Sequence, residues 1–250
     1  MTVLITLIRR ELGSYFASLT GYVIIAAAAF LTGLSFVLLF TQLRSEPSPT
    51  PLTELFYITP FFWLILLLAC PVITMRTFAL EKFSGTYETL MTAPVRDGHV
   101  VLAKFSAAMV VYLVMWLPLL ACLAVTRQFS GDPAALDPGT LASTYLGILL
   151  IGGVFISCGC FASSLTRSQA LAAILSLACC TTLFLLSFLA GWVASMPGWA
   201  AQLLASMALF EQMHDFARGV IDTRPIVFFV SLTALFLFLT LRVVESRRWK

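Results

Sequence analysis

The chain has 250 residues, of which 60% are hydrophobic and only 11% charged, and its mean hydropathy is +0.98. Soluble domains carry about 25% charged residues, so this composition excludes a soluble globular domain and fits an all-α integral membrane protein of about six spans. The formal charge of +3 is too small and too dispersed for a nucleic-acid partner; in a membrane protein the placement of charge says more than its total.

Residues 1–16 read as an interfacial helix rather than a cleaved signal. Leu4, Ile5, Ile8, Leu12, Tyr15 and Phe16 recur at three- and four-residue intervals, with Thr2, Thr6, Arg9, Arg10 and Gly13 mostly opposite. The apolar run that follows is far longer than the 7–15 residues of a signal h-region. Charge-free runs then set six spans, near residues 21–43, 55–75, 105–126, 140–165, 168–195 and 225–242. In this reading Lys104 marks the start of the third span. Ahead of the sixth, Pro197-Gly198 breaks the chain and Trp199–Phe210 forms an apolar run of about half a bilayer in length. Residues 197–222 are therefore expected to form external re-entrant or interfacial helices, which survive at depth only if covered by protein or lining a cavity.

The basic residues give the orientation. Arg9, Arg10, Arg76, Lys82, Arg96, Lys104, Arg167, Arg242, Arg247, Arg248 and Lys250 fall on one side, eleven of the fifteen. Arg44, Arg127, Arg218 and Arg224 fall on the other. The positive-inside rule puts both termini in the cytoplasm, as six spans require.

Chemical motifs are sparse. The chain carries no GxxxxGK[ST] and no nucleotide-binding GxGxxG, so a P-loop of its own is excluded. No G-x-S-x-G elbow is present, and the spans hold almost no ionisable groups, which a buried catalytic site or proton relay would need. No catalytic, cofactor or metal residue is assigned. Glu211-x-x-His214 puts two ligand types on one helical face, but a di-metal carboxylate site needs several such helices; the i,i+4 pairs Glu211/Asp215 and His214/Arg218 fit a solvated face instead. All six cysteines lie inside apolar runs and read as small packing residues. Gly153-x-x-x-Ser157, Gly159-x-x-x-Ser163 and Ala29-x-x-x-Gly33 are small-xxx-small pairs, whose spacing lets helix backbones approach within the bundle or between subunits.

The polar island Glu81–Lys104 breaks the pattern. Ser84, Gly85 and Thr86 offer N-cap chemistry, Glu88 suits a first turn, and Pro94 stops a helix. The expected element is a short helix over residues 84–93, with Tyr87, Leu90 and Met91 as an i, i+3, i+4 apolar stripe. So short a helix does not hold alone in water, and its stripe calls for a groove in a partner, with the lipid surface as the alternative.

The stretch Glu-Lys-Phe-Ser-Gly-Thr-Tyr-Glu-Thr-Leu-Met-Thr-Ala-Pro-Val from Glu81, followed by Leu102-Ala103-Lys104, resembles the motif between spans two and three of ABC-2 type transporter permeases. The C-terminal Gly219-Val220-Ile221-Asp222 and Glu245-Ser246-Arg247-Arg248-Trp249 resemble the gliding-motility subgroup, to which the nitrous-oxide-reductase maturation permease is related. The resemblance implies a six-span, type V exporter-like fold with an N-terminal elbow helix (1–16), a cytoplasmic coupling helix (84–93) and external helices (197–222). It implies a prokaryotic inner-membrane permease, homo- or heterodimeric, paired with two copies of a cytoplasmic ATPase subunit that binds ATP and Mg. The permease itself holds no cofactor. Glu81, Gly85, Thr86, Glu88, Leu90, Pro94 and Lys104 occupy motif positions; Tyr87 stands where Leu is common, and Met91 replaces a second Leu. Together with Ser84 these form the expected ATPase-coupling set. Uncharged, aromatic-rich spans suit contact with membrane lipid and a lipid-like, amphiphilic or polymer cargo. A secondary carrier or channel would call for intramembrane charges or repeats. A membrane enzyme or assembly scaffold would call for polar catalytic groups at depth. The sequence has neither.

Overall fold

The computed structural model describes residues 2–45, 51–87, 95–130, 137–193 and 208–246, and these are helical with no strand among them. The helices, in chain order, are α1 (Thr2–Phe16), α2 (Leu19–Ser45), α3 (Leu52–Ile58), α4 (Pro60–Thr74), α5 (Ala79–Ser84), α6 (Asp97–Met115), α7 (Leu117–Ser130), α8 (Pro138–Leu165), α9 (Gln169–Val193), α10 (Leu209–Arg218) and α11 (Thr223–Ser246). Among the described residues six stretches are long and apolar enough to cross a membrane, with α4–α5 (Pro60–Ser84) and α6–α7 each counted as one.

Two prolines explain where spans break. Pro60 disfavours helical backbone at the residue before it; Thr59 is extended (ψ 145°) and α4 starts with Pro60 at its first position. The second span expected over residues 55–75 is thus two helices, α3 and α4. Pro118 has no N–H to continue the ladder, and the chain bends at Trp116 between α6 and α7. The third span begins earlier than expected: α6 starts at Asp97, so Lys104 lies inside the helix rather than at its edge.

At the centre stands α8. Its most apolar window is 83% buried, against 11% for α11, and it packs against α4, α6, α9, α10 and α11. Asp137 caps its N-terminus by accepting from the Thr140 N–H at 3.2 Å. That backbone hydrogen bond, with one from Gly139, holds the Asp137 carboxyl below the usual carboxylate range. The close packing rests on glycines. A Cβ on Gly147 would lie 2.7 Å from Met213 Sδ, one on Gly159 would lie 2.9 Å from Ser176 Oγ and collide with Thr74, and one on Gly152 would enter the Tyr112 ring. Gly153 faces Thr233 of α11 at 3.3 Å, and the Ser157 hydroxyl turns back to Val154 O at 2.9 Å. The small residues of the fourth span therefore serve packing within the chain. Ala29 and Gly33 do not: both are half-exposed on α2, and nothing comes within 4 Å of a Cβ on Gly33.

Towards the end opposite the termini, Phe56, Tyr57, Phe62, Trp63, Trp116, Phe184 and Phe210 form a continuous ring cluster, with centroids 4.7–6.3 Å apart. It joins α3, α4, α6–α7, α9 and α10, and edge-to-face and offset pairs of this kind add to plain area burial. The cysteines are free; Cys70, Cys158, Cys160 and Cys180 are buried in the core. The backbone contact at Gly159 gives a direct test. Gly159→Val should lower the stability of the detergent-solubilised chain by about 1–3 kcal/mol, an overpacking cost, in thermal unfolding. Gly33→Val, facing open space, should leave the monomer's unfolding unchanged.

Candidate functional site

Charged side chains gather at the end of the bundle that carries the termini. Lys104 on α6 is buried, its side chain 2% exposed, and its ammonium lies 2.8 Å from Glu81 Oε1 on α5 and 3.2 Å from Glu11 Oε2 on α1. The Phe78 ring sits 5.4 Å away, adding a cation–π contact. Arg10 closes the group from the outside, donating from Nη2 to Glu11 Oε1 at 2.7 Å and to Glu81 Oε1 at 3.3 Å. The hydrogen bond to Glu11 raises the Arg10 pKa, so the guanidinium stays charged. A buried ammonium flanked by two carboxylates is tolerable because the charges compensate; removing one partner leaves an uncompensated buried charge. Glu81 Oε2, also buried, accepts from no described residue.

The same segment is tied to the core helix. Ser163 Oγ accepts from the Phe78 and Ala79 N–H groups, each at 3.1 Å, so a side chain of α8 caps the start of α5. The Lys82 ammonium donates to the Ser164 carbonyl at the end of α8. Tyr15 on α1 donates to Ile73 O at 2.8 Å, which the helix leaves open where α4 ends. Thus α5 is fixed to α8 by hydrogen bonds and to α1 and α6 by charge.

Where α5 ends departs from expectation. Ser84 closes this helix instead of starting the next, and Gly85 follows in left-handed conformation, φ +75°. That is a glycine C-cap. Helical geometry resumes at Thr86 and Tyr87, with Ser84 Oγ 2.8 Å from Thr86 Oγ1. Tyr87 is buried, and the Lys82 ammonium lies 5.3 Å over its ring, so it is not part of an outward stripe. Phe83, one turn earlier, is 77% exposed. Glu88, Leu90, Met91 and Pro94 lie outside the described residues, as do residues 197–207 of the expected external helices.

Sequence reasoning did not assign Glu11, Arg10 or Arg76 to a site. Arg76 is half-buried at the end of the second span, and its Nη1 donates to Ser18 Oγ at 2.7 Å and to Thr20 Oγ1, at the turn between α1 and α2. Beneath α1 lies a cavity of about 560 Å³ lined by Arg10, Glu11, Tyr15, Arg76, Glu81 and Lys104 among others. The available signal was positional: Glu11 is the one acid in an otherwise apolar and basic N-terminal helix.

A second polar cluster occupies the opposite end. Glu54 on α3, its side chain 4% exposed, accepts from Arg218 Nε at 2.9 Å and lies 3.0 Å from His214 Nε2. Thr53 Oγ1 donates to Ala217 O at 2.9 Å, and Tyr57 donates to Phe210 O. The face of α10 expected to be solvated therefore latches onto α3 through His214 and Arg218.

Among the described residues, six helical stretches apolar and long enough to cross a membrane, one of them the central glycine-rich α8, define a multi-pass membrane protein. The family model for ABC-2 family transporter proteins matches residues 39–243, and the chain belongs to that family. It is thus a membrane transport subunit rather than a catalytic one, of a family whose members usually work with an ATPase partner. No individual curated protein matches the chain. The charge cluster yields a test. Lys104→Met should cost about 3 kcal/mol by stranding two carboxylates, and Glu11→Gln with Glu81→Gln in the same chain should recover most of it, read by thermal unfolding.

Proposed function

We propose that the chain is the permease subunit of an ATP-driven exporter, and that residues 84–93 receive the motion of a separate cytoplasmic ATPase. The observation that carries this reading is the anchoring of α5. A push on a segment so tied is passed to α8 through Ser163 and Lys82, and to α1 and α6 through the Lys104 cluster. Such a segment moves the spans as a body instead of bending alone. Membership of the ABC-2 family supports the same reading.

In the proposed cycle two ATPase subunits bind ATP and Mg and close. The helix after Gly85 is displaced with them, and the cavity between two permease copies changes its open side. Phe83, exposed at this end, joins Leu90 and Met91 as apolar contacts to the ATPase cleft. The second copy, identical or a related permease, would cover exposed apolar residues of α2 such as Phe30 and Val37 and the open small-residue face at Ala29 and Gly33. The excess of basic residues at this end supports an orientation with both termini on the cytoplasmic side of a prokaryotic inner membrane. The C-terminal Glu245-to-Trp249 sequence supports placement in the gliding-motility subgroup.

Co-purification with candidate ABC ATPase subunits from the same cell tests the reading. Phe83→Glu and Leu90→Glu should each weaken capture at least tenfold, since burying one unpaired charge costs more than 1.4 kcal/mol. They should also abolish stimulation of ATP hydrolysis in vesicles. An intact complex with full stimulation in both variants would rule out this contact.

A further inference from the structure

The cavity beneath α1 holds more positive than negative charge. Arg10, Arg76 and Lys104 line it against Glu11 and Glu81. Both carboxylates are already engaged by Lys104 and Arg10. Arg76 has no carboxylate partner among the described residues; its bonds there are to the neutral hydroxyls of Ser18 and Thr20 through one nitrogen. A half-buried guanidinium without a counter-anion is costly, and its fork of donors suits two oxygens of a phosphate.

The surroundings narrow the source of that phosphate. Arg76 follows directly on the end of the apolar helix α4 at Thr74 and its cap Met75, a place that suits a phospholipid headgroup. Tyr15 and Leu80 line the same cavity, while α1 above it exposes Val3, Ile5 and Phe16, an apolar set that acyl chains would cover. A basic pocket between helices at the membrane surface recognises acidic headgroups by this chemistry. We propose that the cavity binds the phosphodiester of an anionic phospholipid in the leaflet on the side of the termini, with Arg76 as the principal ligand and Arg10 assisting at the mouth. The bound lipid would brace the joint between α1, the start of α2 and the end of α4. This role is separate from ATPase docking and stands whether or not α5 couples to a partner.

The test uses the full-length chain in detergent. Phosphatidylglycerol, phosphatidylcholine and phosphatidylethanolamine with identical acyl chains are titrated in, with native mass spectrometry reading retained lipid and thermal unfolding reading stabilisation. Both lipids offer the phosphodiester, but the choline headgroup adds a cation that the net-positive cavity repels, so phosphatidylglycerol should bind about tenfold more tightly than phosphatidylcholine, a difference of about 1.4 kcal/mol. Arg76→Gln should erase that preference. Ser14→Glu, which leaves Arg76 in place and puts an anion on an exposed lining residue, should erase it too and keeps the test valid if Arg76→Gln fails to fold. Arg242→Gln, at the same end but paired with Glu245, should leave it unchanged. Equal retention of all three lipids, or a preference that survives Arg76→Gln or Ser14→Glu, would overturn the proposal. Stabilisation by glycerol 3-phosphate equal to that by the lipid would overturn the lipid source and assign the site to a soluble anion.

Discussion

The Lys104 ammonium is the constraint on which the half of this protein that carries the termini turns. Its side chain is 2% exposed inside the helix that forms the third span, where a lone charge would be expelled or neutralised. It is held because Glu11 and Glu81 reach it from two other elements. Those three residues come from α1, α5 and α6, so satisfying one buried charge fixes the relative positions of the N-terminal helix, the segment after the second span and the third span. The arrangement is specific more than strongly stabilising, since the attraction largely offsets the desolvation of the ions.

From that point the chain builds a mechanical path. α5 is short, and a helix of its length has no independent stability in water. Its first N–H groups are capped by Ser163 of α8 rather than by a residue of its own. The helix therefore exists only in contact with the core. α8 in turn contacts its neighbours through glycines that leave no slack at Tyr112, Thr74 and Met213, and dense packing transmits displacement. At the far end Glu54 holds α10 against α3 by His214 and Arg218. One ionic cluster at each end and close-packed backbone between them describe a body suited to tilting as a unit.

The spans were legible because a run without charge long enough to cross a bilayer has few other uses, and the N-terminal helix was legible from its three- and four-residue periodicity. What escaped the sequence has physical causes. Lys104 was taken as a boundary because hydropathy cannot register that Glu11, 93 residues away in sequence, neutralises it. The Thr59–Pro60 break lies inside an apolar run, where composition outweighs the local rule that a proline restricts its predecessor. Ser84-Gly85-Thr86 supports both a helix start and a helix stop; the left-handed Gly85 decides for a stop first and a new start at Thr86. Ala29-x-x-x-Gly33 shows that spacing grants the ability to pack closely without naming a neighbour. As a sequence feature Arg76 is only a topological charge, and the fold shows that no acid among the described residues meets it.

On the proposed function, the Lys104 cluster transmits force as well as fixing geometry. Stimulation of the proposed ATPase partner by the chain carrying Glu11→Gln, Glu81→Gln and Lys104→Met together, in vesicles and alongside capture of the ATPase by the same variant, tests this. If force passes through the cluster, the variant folds and still binds the ATPase but loses at least nine-tenths of its stimulation, about 1.4 kcal/mol of coupling. Undiminished stimulation in the folded, bound variant would show that the cluster fixes geometry alone.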